Sequence, residues 1–129
     1  MTLLDADIII WNWRGKSEAA ALLDAARPFS LSAVTYMVLV QGMRNQREWQ
    51  ALQADLLLWQ ANILPITEAI STRAVSLVER HFRGHHLQLA DALIAATALE
   101  HRLPLATSNI KHFKTVEGLK LKPFKISKA

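Results

Sequence analysis

The chain has no cysteine. That excludes disulfides and thiolate metal sites, and it suits a reducing, cytoplasmic setting. No apolar run approaches the roughly 18 residues that a spanning helix needs. The first such run, "MTLLDADIIIWNW", is interrupted by acids and lacks a basic leading segment. Neither a signal peptide nor membrane association is expected from it. Internal repeats, low-complexity tracts and linker-like stretches are also missing, so the 129 residues are expected to form one domain over 1–129. There is no Ser/His/Asp arrangement, glycine-rich phosphate loop or zinc-protease motif.

What is present is apolar and mildly basic. Apolar residues make up 51% of the chain, enough for a sizeable core at this length. Fifteen Lys and Arg against eleven Asp and Glu leave a net charge of +4, which permits a polyanionic partner. Lysines recur through "KHFKTVEGLKLKPFKISK". They suit either a guarded sheet edge or a nucleic-acid contact.

Short apolar segments alternate with helical ones. "TLLD", "PFSLS", "NILPI" and "LPLAT" read as strands, with a possible fifth in "GLKLKPFKI". "ADIIIWNWR" reads as a turn or helix. "SEAAALLDAA" reads as a helix capped by Ser17 and stopped by Pro28. "AVTYMVLVQGMR" reads as a buried helix. In "QREWQALQADLLLWQ", Trp49, Leu52, Leu56 and Trp59 share one helical face. "TEAISTRAVSLVERHF" takes Thr67 as its cap and turns Ile70, Ala74, Leu77 and Val78 inward. "QLADALIAATALEHR" is the most apolar helix. The alternation predicts an α/β fold with a mostly parallel sheet of four or five strands covered by helices.

In such sheets ligands gather beyond the carboxyl ends of the strands, so polar residues there are the candidates. Asp5 ends the first strand. Asp7 follows two residues on and points the same way if the extended chain continues. Thr107, Ser108 and Asn109 follow the strand "LPLAT", and Asp91 opens the apolar helix. A buried carboxylate needs a partner. Asp91 is either a helix-terminal carboxylate, held by the helix dipole and by loop donors among Arg83, His85 and His86, or a ligand that joins Asp5 around a hard divalent cation. His81, His85 and His86 are broken in spacing by Gly84 and joined by no cysteine, so zinc is not expected there. Trp49 and Trp59 read as core or interface anchors. Trp11 and Trp13 read as the lining of a partner groove.

Taken together, "LLDADIII", "SLSAVTYMVLVQGMRN", "LQLADALIAATALEHRLPLATSNIKHF" and "VEGLKL" resemble a PIN-domain ribonuclease of the VapC toxin class over nearly the whole chain. The resemblance implies a compact PIN-like domain with acids at one end of the sheet. They would hold Mg2+ or Mn2+ for attack of water on an RNA phosphodiester. It assigns Asp5 and Asp91 as metal ligands and Asn109 as a further catalytic position, with Asp7 and Thr107 in support. It also implies a cognate VapB-like antitoxin seated in a groove near Trp11, Trp13, Trp49 and Trp59, a homodimer, and operator DNA bound only through the antitoxin.

One position departs from the family. The pattern S-x-x-T-x-x-E-L-x-x-G reads here "SAVTYMVLVQG", which places Val38 where the family has glutamate. A valine fits a buried helix, so the local pattern does not betray the change. The expectation is a nuclease of reduced or lost activity. A selected or introduced Glu-to-Val change is favoured over natural divergence, because a toxic ribonuclease is hard to produce and one base change suffices. The alternative is a naturally degenerate PIN domain that binds RNA or antitoxin without cutting.

Overall fold

The computed structural model describes residues 1–84 and 86–126. Five strands, β1 (Leu3–Leu4), β2 (Ser30–Ser32), β3 (Asn62–Leu64), β4 (Leu105–Thr107) and β5 (Leu121–Pro123), form one sheet in the order β3-β2-β1-β4-β5. Every pairing is parallel, with Leu3 opposite both Ser30 and Leu105. Seven helices connect them: α1 (Ala6–Trp13), α2 (Ser17–Ala26), α3 (Ala33–Gln41), α4 (Gln46–Leu58), α5 (Glu68–His81), α6 (Leu89–His101) and α7 (Ile110–Phe113). The α/β class and the parallel sheet agree with the sequence reading. None of the described helices is long and apolar enough to cross a membrane.

The central strands β1, β2 and β4 are short but buried on both faces, β3 and β5 at the edges are more exposed, and the alternation along β1 and β4 divides the core. Leu3 and Leu105 enter one apolar cluster with Ile70, Ala74, Leu77 and the inner face of α6. Their neighbours Leu4 and Ala106 enter the other, with residues of α1, α2 and α4. A side-chain period of two sends adjacent residues to opposite faces, so two consecutive apolar residues serve two cores. This explains why "LL" and "LA" show no polar alternation.

Several helix ends follow their sequence signals. Thr67 Oγ1 accepts from the Ile70 N–H at 3.2 Å, and Asn45 Oδ1 accepts from the Glu48 N–H at 2.9 Å. Ser17 does not cap α2. It is the first helical residue, and Lys16 stands at the cap without a side-chain bond. The segment "ADIIIWNW" is fully helical, and α7 is a short helix that no long apolar period announced. Edge strand β5 carries Pro123 and Lys122, whose Nζ donates to Thr2 Oγ1 at 3.2 Å. Proline and lysine both discourage further strand pairing at an edge. Lys128, at the end of the lysine-rich segment, lies outside the described residues.

Leu52, Leu56 and Trp59 turn inward from α4 and its C-cap, while Trp49 is 37% exposed. Trp59 packs against the fully buried Phe29, with ring centroids 5.9 Å apart. Phe29→Ala should therefore lower stability by about 3–5 kcal/mol. Urea unfolding measures this directly. A loss below about 1 kcal/mol would mean that this second core is not closely packed.

Candidate active site

The strand order reverses between β1 and β4, and the polar residues collect at their carboxyl ends. The Asp5 N–H donates to the Ala106 carbonyl at 3.0 Å, continuing the ladder one residue past β1 and setting Asp5 beside Thr107. Asp5 then caps α1. Its Oδ1 accepts from the Ala6 N–H at 2.8 Å, and its Oδ2 accepts from Thr107 Oγ1 at 2.8 Å. Thr107 Oγ1 in turn accepts from the Asn109 N–H at 3.0 Å.

Asp5 is 7% exposed. Burial pushes its carboxyl up to about 6, with the neighbouring Asp7 charge next in size. The Thr107 and Ala6 hydrogen bonds oppose that rise, and the Asp91 charge adds a smaller increment to it. The last contribution brings Asp91, far away in sequence, into electrostatic reach of Asp5. The site is short of positive charge.

Asp7 arrives by a route other than strand parity. The chain turns helical at Ala6, so Asp7 lies in the first turn of α1. Its Oδ2 accepts from the Ser108 N–H at 2.7 Å and from the Ser108 hydroxyl, while its Oδ1 is buried with no hydrogen-bond partner. Ser108 thus ties α1 to the end of β4.

Asp91 sits in the first turn of α6 with its side chain 14% exposed. Its Oδ2 accepts from the Gln88 N–H at 3.0 Å and lies 3.0 Å from His112 Nδ1. The basic partner therefore comes from α7 rather than from the loop before α6. Arg83 lies instead over the Phe82 ring. His81 is buried at the end of α5, His86 is exposed, and His85 lies outside the described residues. Asn109 enters the network through its backbone, and its exposed side chain makes no capping bond.

Val38 corrects an expectation. It is 41% exposed, not buried, and it lines a groove of about 750 Å³ with Ile10, Trp13, Leu39, Met43 and Arg44. Position 38 is open to the groove, so valine there does not fill a core. The tryptophans also divide. Trp13 lines the groove and donates from Nε1 to Asp55 Oδ2 at 3.3 Å. Trp59 is a core residue, Trp11 packs partly into the same core, and neither they nor Trp49 line the groove.

These donors suit a hard cation. They are oxygens, one buried carboxylate oxygen of Asp7 lacks a hydrogen-bond partner, and the Asp7 and Asp91 charges both raise the proton affinity of Asp5. Among the described residues no three His, Cys, Asp or Glu side chains form a ready ligand set. That is compatible with an ion that keeps several waters and takes one or two carboxylates, as magnesium does. Ser108 was named in the sequence reading only as a polar neighbour at the strand end, and His112 had no role there. Each acts through a contact across more than one element that no local pattern encodes.

The PIN domain family model matches residues 2–119. Ribonuclease VapC10 of Mycobacterium tuberculosis is 38% identical over 124 residues, covering 93% of this chain and 91% of that protein. Ribonuclease VapC19 of the same organism is 31% identical over 120 residues, covering 88% and 92%. A toxin–antitoxin complex from Klebsiella pneumoniae superposes with a TM-score of 0.76 at 34% identity, covering 98% of this chain and all of that one.

The raised Asp5 value has a consequence for stability. The folded protein holds the Asp5 proton more tightly than the unfolded chain does, so this residue weakens the fold as pH rises from about 4 through about 6. The full effect is on the order of 3 kcal/mol. Asp5→Asn should therefore gain stability relative to the parent between about pH 4.5 and about pH 7.5 in EDTA. Urea unfolding at the two pH values tests this, and an equal difference at both would refute the buried-charge account.

Proposed function

The chain belongs to the PIN-domain family, as a ribonuclease of the VapC toxin type, and from that premise we propose that it is a divalent-metal-dependent endoribonuclease whose cleavage is curtailed by valine at position 38. The observation that supports this most is the buried Asp5 carboxylate, held by Thr107 at the switch point while the Asp7 and Asp91 charges press against it. A site in which carboxylates raise one another's proton affinity gains most from a cation.

Asp5 and Asp91 are the residues to hold Mg2+ or Mn2+, with Asp7 supporting through its unpartnered oxygen. When bound, such an ion polarises a phosphoryl oxygen and lowers the pKa of a coordinated water. Thr107 fixes the Asp5 carboxylate by its hydroxyl, and its hydrogen bond with the Asn109 backbone sets the start of the turn that presents the Asn109 side chain to solvent. Asn109 is assigned to orient the attacking water. A glutamate at position 38 would extend from the exposed face of α3. Valine there offers neither a ligand nor an acceptor.

The partner reading follows from the same membership. The K. pneumoniae relative is a toxin–antitoxin complex, and we assign this chain a cognate VapB-like antitoxin that occupies the groove lined by Val38 and Trp13. The antitoxin carries the contact with operator DNA, the toxin pairs as a homodimer, and the complex works in the cytoplasm. The exposed, apolar Val38 also favours a second reading, a binding-only PIN domain, and one experiment separates the two.

Val38→Glu should give Mn2+- or Mg2+-dependent RNA cleavage at least about tenfold faster than the parent, in line with the loss of a group that meets transition-state charge. EDTA should abolish that activity. A revertant no faster than the parent would support the binding-only module, and cleavage persisting in EDTA would remove the metal from the mechanism. Separately, the chain co-expressed with a small protein from a neighbouring open reading frame should co-purify as a stable complex. An identical elution position with and without that protein would argue against an antitoxin.

A further inference from the structure

The connection between α5 and α6, together with α7, carries a second group of side chains that shares only His112 with the acid cluster. His86 sets its ring nearly parallel to that of His112, with centroids 6.4 Å apart and planes 15° apart. His112 is backed by the buried Phe113, whose centroid is also 6.4 Å away, and it is tethered to Asp91 Oδ2 at 3.0 Å. The same connection begins with Phe82, which is 70% exposed and has the Arg83 guanidinium 5.4 Å from its ring centre. Lys111 on α7 and Lys114 at its C-cap flank His112, both exposed. Acidic groups reach this rim through Asp91, at His112, and through Glu117, 4.0 Å from Arg80.

Flat rings open to water and cations beside them are a poor design for a core and a good one for a polyanion that carries planar bases. Single-stranded nucleic acid has both features, since each base offers a π face and each linkage a negative charge. A duplex keeps its base faces hidden in the stack.

We propose that His86 and His112 form a stacking platform for an unpaired RNA base beside Asp91, with Arg83, Lys111 and Lys114 meeting the adjoining phosphates. This rests on the reading of RNA as substrate and gives that substrate a form, a strand with at least one base free to leave its neighbours. Because His112 is tied to Asp91, a base on the platform sets the distance between the next phosphodiester and the carboxylates. The platform selects for an unpaired segment and is tolerant of base identity.

The test uses the full chain in EDTA, where no cleavage is required. Binding of a fluorescein-labelled oligoadenylate is followed by anisotropy for the parent, His86→Ala, His112→Ala and His112→Phe. The same set is measured with an abasic ribose-phosphate oligomer, and circular dichroism reports folding. Each alanine variant should weaken oligoadenylate binding by about tenfold, within the range for loss of one stacked base, while abasic binding changes less than about twofold. His112→Phe keeps a flat face and should bind like the parent. An internal fluorescent purine analogue should be quenched by the parent and not by the alanine variants. Folded alanine variants that bind oligoadenylate as the parent does would overturn the platform. So would an equal loss on the abasic oligomer, which leaves charge alone. Weakened capture of co-expressed antitoxin with RNA binding intact would make this rim a protein surface instead. Cleavage by Val38→Glu is scored independently, so failure of the platform and failure of the ribonuclease reading give different results.

Discussion

The hydrogen bond from Thr107 to Asp5 joins residues 102 positions apart, and much of the architecture serves to make it possible. It requires β1 and β4 to be neighbours, parallel and in register, so that both strands end at the same level. It requires α1 to begin immediately after β1, so that the carboxylate can cap the helix while facing the next strand. The all-parallel order with its reversal at β1 and β4 meets both conditions. A hydrogen bond to a charged group contributes about 1.5–3 kcal/mol. Even so, burial and the adjacent acids outweigh the two bonds that Asp5 accepts, and its proton affinity rises. The site is built with an electrostatic deficit that the protein alone does not relieve.

Asp91 shows how one side chain can serve its own helix and a distant centre together. Its bond to the Gln88 N–H satisfies an orphan donor at the start of α6. Its contact with His112 joins that helix end to α7, and its charge still reaches Asp5. The two accounts of Asp91 offered by the sequence therefore do not exclude one another. A capping carboxylate held in place by a backbone donor and an imidazole is also a carboxylate held in one orientation.

The sheet class, the helices with strong periodicity and the locations of Asp5, Asp91 and Thr107 were legible in the chain, because each follows from local apolar pattern or from strand-end position. What escaped depends on three-dimensional contact. The segment "ADIIIWNWR" read as either a turn or a helix, and the helix that forms from Ala6 overturns the strand-parity argument for Asp7. Val38 was misjudged because "AVTYMVLVQ" is almost uniformly apolar, so its composition cannot say which face meets water; Met37 and Val38 do, while Val34 and Leu39 do not. Trp59 was assigned to a groove because a tryptophan at the end of an amphipathic helix serves core and interface equally well, and Phe29 decides the matter. The histidine partner of Asp91 lay on α7, a helix of four residues too short to leave a period.

The span between Asp5 and Thr107 also orders events in time. A nascent chain leaves the ribosome from its amino end, and domains acquire their packing as their parts emerge. The first carboxylate, α1 and strands β1, β2 and β3 are exposed to the cell long before β4 can close the reversal point. Until then Asp5 has no hydroxyl from Thr107, Asp7 has no Ser108, and Asp91 has no His112. A chain that stops short of β4 therefore lacks every contact that fixes these three carboxylates from the far side of the site. The contacts that complete the carboxylate cluster are therefore among the last to form, because Thr107, Ser108 and His112 all lie near the carboxyl end of the chain.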